Sequence, residues 1–317
     1  MSEYRDERGT GEPNGRGLTP AALLDLAYIA PELALAPYLT TLYHFRCDEP
    51  VIRDTQPAAV GQVMIFLAGS GDMTFASGRR DAAHAATLMT PTSRAATFEV
   101  AGPFHCIGAV LSPLGWAALT GLHAGEWADR LIRADQVFGA GVNALALRFR
   151  QEYADGRAGA DLARELGRFL EPHLRAVNPR HAALIGAVSG WLASSLSPQL
   201  ADLEDRSGYS GRQLQRLCER YFGLPPVTLL RKYRALRVVA LLNEPGITDE
   251  QVAALTDQFY DQSHMIREIR TFAGRTPGRL AQDAGSILGT LLDARNFREI
   301  APQIAPLPPL ATEDDDA

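Results

Sequence analysis

The chain holds a single lysine, Lys232, and three cysteines, Cys47, Cys106 and Cys218. The cysteines are scattered and form no C-x-x-C pair, which argues against a disulfide framework and a zinc site. That usage suits a reducing, cytoplasmic compartment. Positive charge rests on arginine, so lysine placement carries no message. No run of 18 uninterrupted apolar residues exists, and no transmembrane helix is expected. Residues 1–17 lack the apolar stretch of a signal peptide and read as a disordered arm. Gly-x-Ser-x-Gly, Walker and His-Glu-x-x-His motifs are all missing. Neither catalysis nor a cofactor is expected. His44, His84, His105, Cys47, Cys106 and Glu99 lie among strand-like runs, yet without the His-x-His pair usual in metal-holding barrels. No metal is expected there, and His44 reads as a capping or packing residue at a strand end.

What is present suits two domains: 317 residues, 46% hydrophobic and 21% charged. From Pro37 to Val110, short apolar or alternating runs (TLYHFRC, QVMIFLA, DMTFAS, AATLMT, AATFEV, FHCIGAV) are punctuated by Gly69, Gly71, Gly78, Pro91, Gly102 and Pro103. That spacing predicts a β-sandwich or barrel, with Gly69-Ser70-Gly71-Asp72 as a hairpin turn. After Pro113 the pattern turns helical: Leu114–Leu122, Val142–Tyr153, Asp161–Leu174 and His181–Ser194. The helices between Val142 and Ser194 serve either a dimer interface or their own barrel; the pattern suits both. The domain boundary falls near Asn178-Pro179. This divides the chain into a β-rich sensor or dimerisation domain at 18–178, a helical domain at 179–285 and a tail at 286–317. The tail's last part, 301–317, is Pro-rich, then acidic, and reads as disordered.

Helix signals are dense from Ser197 onward. Ser197-Pro198 reads as a helix start. Ser210 with Gln213, and Thr248 with Gln251, form capping boxes. Asp261 caps a last major helix, and Glu244-Pro245-Gly246 stops a long one. Two stretches repeat at an offset of 51 residues: Leu203–Pro226 and Ala254–Pro277. Tyr209 matches Tyr260, Leu214 matches Met265, Arg216 matches Arg267, and Gly223 matches Gly274. Each reads as a helix-turn-helix, which places a helix where side chains reach base edges in the major groove. Net charge is -6, but seven basic residues against one acid lie between Ser210 and Arg237. Such a basic stripe on an acidic body is a footprint for a phosphate backbone. On the first helix Leu214, Leu217 and Tyr221 face inward. Arg212, Gln215, Arg216 and Arg220 face outward as candidate DNA contacts. On the second the candidates are Gln262, Ser263, His264, Arg267 and Arg270, with Asp261 and Glu268 diluting their charge.

The motifs DRSGYSGRQLQRLCERYFGLPP and YDQSHMIREIRTFAGRTPGRL resemble the AraC/XylS family of bacterial transcription regulators over roughly residues 182–282. The resemblance implies two helix-turn-helix units joined by a long helix, with base-contacting positions at Arg212, Gln215, Arg216, Gln262, Ser263 and Arg267. It departs at Gln258-Phe259, where the family usually has Gly-Phe; glycine accommodates positive φ in a turn, and glutamine is strained there. The implied fold is α+β: an N-terminal β-barrel-like, cupin-like sensor domain, then an all-α domain with two helix-turn-helix units. The implied partners are double-stranded promoter DNA, a small-molecule effector, RNA polymerase and a second copy of the chain, with no membrane. Two alternatives stand beside this regulator: an interaction protein that kept the fold without reading DNA, and a cupin-like metal-binding domain fused to a DNA-binding one.

Overall fold

The computed structural model describes residues 17–242, 247–283 and 285–292. The rest of the predicted arm, the Glu244-Pro245-Gly246 stop and the tail beyond residue 292 lie outside the described residues. The N-terminal half contains β1 (Leu24–Ile29), β2 (Leu39–Cys47), β3 (Val51–Gln56), β4 (Gln62–Thr74), β5 (Arg80–Ala82), β6 (Ala86–Met89), β7 (Ala96–Leu111), α1 (Pro113–Thr120), β8 (Leu131–Arg133), α2 (Asp135–Phe138), α3 (Gly141–Ala154) and α4 (Gly159–Leu170). All strand pairings are antiparallel, in the order β1-β2-β7-β4-β6-β8, with β3 also on β7 and β5 on β4. It is a strongly curled sheet whose end strands β1 and β8 do not pair with each other.

Two long strands form its spine, and here the sequence reading needs correction. Gly69–Asp72 is not a hairpin turn; it lies inside β4. Gly102 and Pro103 likewise lie inside the continuous β7. The β4–β7 register shifts between Phe66 and Ala68 and again between Ala68 and Ser70. Gly69 takes φ +77, and a Cβ there would stand 2.6 Å from the Ala101 carbonyl oxygen. Glycine therefore serves a bulge that bends two paired strands together. Pro103 sits where neither neighbouring strand needs an N–H from it. In sequence a bulge and a turn use the same residues.

Alternation along the strands sorts side chains onto two faces. Val63, Ile65, Ile107 and Ala109 pack under α1, α3 and α4 with Trp116, Phe149, Leu162 and Leu166. The trailing helices thus cover their own sheet. Tyr43, Phe66, Val100 and Phe104 line the opposite, concave face. Ser112 caps α1: its hydroxyl accepts from the Gly115 N–H at 2.9 Å.

The C-terminal half contains α5 (Pro179–Ser194), α6 (Leu200–Ser207), α7 (Gly211–Phe222), α8 (Pro226–Leu242), α9 (Asp249–Thr256), α10 (Gln262–Ala273), α11 (Pro277–Gln282) and α12 (Ile287–Leu291). α6 begins two residues after the predicted Ser197-Pro198 start, behind Gln199 at the N-cap. One apolar core joins Trp191 of α5, Leu214 and Leu217 of α7, Leu229, Tyr233 and Leu236 of α8, and Ile269 and Phe272 of α10. Within the segment read as tail, α12 folds back so that Ile287 enters the concave-face core.

Candidate nucleic-acid interface

In the first unit, α6 ends at Gly208 with φ +67, a left-handed cap that frees glycine from Cβ strain. Gln213 Oε1 accepts from the Ser210 backbone N–H at 3.1 Å, as the capping box requires. Leu214, Leu217 and Tyr221 of α7 are buried, while Arg212, Gln215, Arg216 and Arg220 are exposed. Gln215 Nε2 donates to Glu219 Oε1 at 3.2 Å, so its amide is held along the helix surface. Cys218 is fully buried, and burial pushes its thiol up to about 12. It is a packed, unreactive thiol.

The second unit repeats the plan with differences. Thr248 and Gln251 cap α9 reciprocally, at 2.9 and 3.2 Å. Asp261 Oδ1 accepts from the His264 N–H at 2.6 Å to start α10. Met265, Ile269 and Phe272 are buried, and Gln262, Ser263, Arg267 and Arg270 are exposed. His264 is half-buried, with Nε2 3.1 Å from Glu268 Oε1. The strain expected at Gln258 is absent: among the described residues only Asp129 combines a side chain with positive φ. The matched tyrosines also diverge. Tyr209 packs against the core, whereas Tyr260 is 93% exposed beside the start of α10.

The basic stripe breaks up in three dimensions. Lys232 and Arg237 are buried within α8, at 2% and 0% exposure. Arg237 donates to the Tyr233 and Ser195 carbonyls, and its burial lowers the guanidinium to about 10. Arg231 and Arg234 grip Glu268 of α10 at 2.6 and 2.7 Å. Glu268 is wholly buried, so it does not dilute the outward charge of α10. It fastens α10 to α8. Of the stripe, only Arg212, Arg216 and Arg220 on α7 remain as exposed cations without an ion-pair partner among the described residues. Nothing local in the sequence marks the Glu268 cluster, because its arginines lie 34 and 37 positions away.

Both helices that carry candidate contacts end on the N-terminal half. The last carbonyls of a helix lack the intrahelical partners of its interior, and here backbone amides of the N-terminal half bond them, Glu219 also accepting from the Gly223 N–H at 3.1 Å. Ala124 and Gly125 donate to the Arg220 and Glu219 carbonyls of α7 at 2.8 and 2.9 Å. Ala58 and Ala95 donate to the Phe272 and Thr271 carbonyls of α10 at 2.7 and 3.0 Å. Lys232 Nζ donates to the Ala59 carbonyl at 3.2 Å. Just past α10, the buried Arg275 pairs with buried Asp54 of β3. Asp54 also accepts from the Leu288 N–H at 2.9 Å. Sequence reading missed all of these joints.

The concave face of the sheet encloses a cavity of about 190 Å³, lined by Tyr43, Phe66, Met73 and Phe98 from the sheet and by Ile287 and Leu291 from α12. Residues 57–60, the segment that holds α10 and Lys232, form part of its wall. The Tyr43 hydroxyl donates to Gln62 Oε1 at 3.0 Å, and burial holds that phenol well above its usual range. The polar residues weighed as metal ligands are engaged elsewhere. His44 lies within β2, not at its end, 3.2 Å from the Tyr153 hydroxyl. His105 meets Asp48 at 2.8 Å, and Glu99 meets Arg53 at 2.9 Å. Among the described residues no three of His, Cys, Asp and Glu gather to hold a metal. Burial raises both Cys47 and Cys106 thiols. No helix among the described residues is long and apolar enough to cross a membrane.

Residues 203–283 match a family described as a helix-turn-helix domain. Residues 27–133 match one described as a domain of unknown function (DUF6597). No curated protein matches the chain. Among solved structures, ToxT from Vibrio cholerae strain SCE256, bound to an unsaturated fatty acid, is 8% identical; 84% of this chain and 95% of that chain are covered, at a TM-score of 0.41. A further ToxT structure from Vibrio cholerae is 10% identical, covers 74% and 97%, and has a TM-score of 0.39. The AraC-like transcriptional activator CuxR is 12% identical, covers 68% and 87%, and has a TM-score of 0.31.

Proposed function

From a C-terminal helix-turn-helix domain of the AraC type, we propose that the protein is a sequence-specific regulator of transcription acting on double-stranded promoter DNA in the cytoplasm. One observation carries the reading. α7 and α10 each bury an apolar face and present a polar one, at the ends of two helix-turn-helix units joined by α8. Arg212, Gln215 and Arg216 read bases from α7, with Arg220 beside them. Gln262, Ser263 and Arg267 do so from α10, with His264 and Arg270 at its flank. Arginine bonds guanine O6 and N7 bidentately, and glutamine matches adenine N6 and N7. The protein acts by binding, not by catalysis.

The concave cavity is the proposed effector site. Its wall at residues 57–60 also holds the end of α10. An effector that moves this wall changes how the second unit is presented, provided it binds the two arrangements with different affinity.

Selection from a random DNA pool at two salt concentrations tests the reading. Enrichment of a two-part site with half-sites about one helical turn apart supports both units as readers. A single short element leaves only α7 reading bases. Absence of any enrichment, with and without candidate effectors, overturns the proposal in favour of an interaction protein. Within a selected site, Arg216→Ala is expected to cost about 1–3 kcal/mol, roughly 5- to 150-fold in Kd, and to relax preference at one base pair. An equal loss on all sequences would make Arg216 a phosphate contact.

A further inference from the structure

A second cleft lies away from the effector cavity, where α7 meets the N-terminal half. Its volume is about 620 Å³, within the roughly 300–1,000 Å³ of small-molecule sites, which favour domain junctions. Arg216 and Arg220 of α7 form one wall, and Arg175 enters from the segment before α5. His123, Asn178, His181 and Tyr221 add polar groups, and Glu126 is its one acidic residue among the described residues. None of the three guanidiniums has an ion-pair partner among the described residues. His181 is held in place by its Nδ1, 2.7 Å from the Tyr221 hydroxyl. Beside the cleft, Ala124 and Gly125 bond the Arg220 and Glu219 carbonyls of α7 and tie that helix to the N-terminal half.

We propose that this cleft binds a small polyanion carrying two or more phosphate groups, and that the bound anion competes with DNA for Arg216 and Arg220. Three guanidiniums against one carboxylate leave a surplus of two positive charges, which a single monoanion does not balance. Guanidinium forks match phosphate oxygens through paired, charge-assisted hydrogen bonds. A ligand here bridges both halves of the chain through Arg175 and α7. It also turns two of the proposed DNA contacts inward. The competition rests on the DNA reading above; the anion site itself does not.

Inorganic pyrophosphate is the probe, titrated calorimetrically into the full chain at constant ionic strength. Saturable binding at one site is expected, weakened about tenfold or more in Arg175→Ala. It is expected to be unchanged in Arg212→Ala, which removes an α7 cation outside the cleft. Arg175 is exposed, so its loss leaves the fold intact. On a selected DNA site, pyrophosphate is expected to release the wild-type protein and not Arg175→Ala, whose DNA affinity stays at the wild-type level. Absence of saturable heat overturns the site, as does equal weakening in both variants, which would mean diffuse attraction to α7. Release of both wild-type protein and Arg175→Ala would overturn the competition. If no DNA site is ever selected, the DNA reading fails and the calorimetry alone decides the cleft.

Discussion

Asp54→Ala is expected to destabilise the folded chain by about 3–5 kcal/mol, the usual cost of removing one partner of a buried ion pair. Asp54 and Arg275 are both buried, and Arg275 Nη1 also donates to Ser286 Oγ at 2.8 Å. Burial pushes the Asp54 carboxyl up, and the charge of Arg275 opposes that push. Without Asp54 the guanidinium keeps its charge in a place that water does not reach, with Asp283 Oδ2, 3.7 Å away, as the weaker carboxylate partner left to it. The Leu288 N–H loses its acceptor as well, so α12 loosens over the concave-face cavity. Urea unfolding followed by tryptophan fluorescence is the direct measurement, read as a lower midpoint at unchanged slope. Asp54→Ala combined with Arg275→Met is expected to recover much of the loss, because the orphaned charge goes with its partner. A single variant that unfolds at the wild-type midpoint would show that this joint does not hold the two halves together.

Glu268→Ala is expected to cost a similar amount, about 3–5 kcal/mol, but confined to the second helix-turn-helix unit. Glu268 is fully buried between Arg231 and Arg234 of α8 and His264 of α10. Arg234 is only 11% exposed at its side chain and also lies over the Phe259 ring, 4.7 Å from the centroid. Its charge has nowhere to go when the carboxylate leaves. Hydrogen exchange is expected to quicken along α10 while α7 keeps wild-type protection. In DNA binding, affinity for a two-part site is expected to fall to that for the α7 element alone. Glu268→Gln, which keeps the shape and drops the charge, separates packing from electrostatics. If α10 exchanges as slowly as in wild type, the cluster is not what fastens it.

These two residues also show where sequence reading stops. The second repeat was legible, including the Asp261 cap and the match of Met265 to Leu214. Glu268 looked like one more surface acid beside the candidate contacts. The tertiary structure turned it inward and took Arg231 and Arg234 with it. Counting formal charge along the chain therefore overstated the basic face: Lys232 and Arg237 are inside, and α7 alone keeps the stripe. The strand half shows the same limit in another form. Gly69 and the Gly102-Pro103 pair signalled turns, yet both lie within long strands that bend together. Three-residue strands such as β5 and β8 leave too short a pattern to find.

The sequence by itself determined α7, α8, α9 and α10 of the C-terminal half, two capping boxes and the Asp261 cap, and the buried face of α7. Those depend on atoms within about one helical turn, as in the Ser210–Gln213 and Thr248–Gln251 boxes. It also determined which side chains of α7 point outward, through a period of about 3.6 residues, but not those of α10, where Glu268 is buried. Only the tertiary structure decided which cations stay free, where the concave-face cavity lies and how both candidate DNA helices are moored. Asp54 and Arg275 stand 221 positions apart, and Ala58 is joined to Phe272 across most of the chain. Such pairs leave no local trace, because their favourable energy exists only once both halves have folded and excluded water between them.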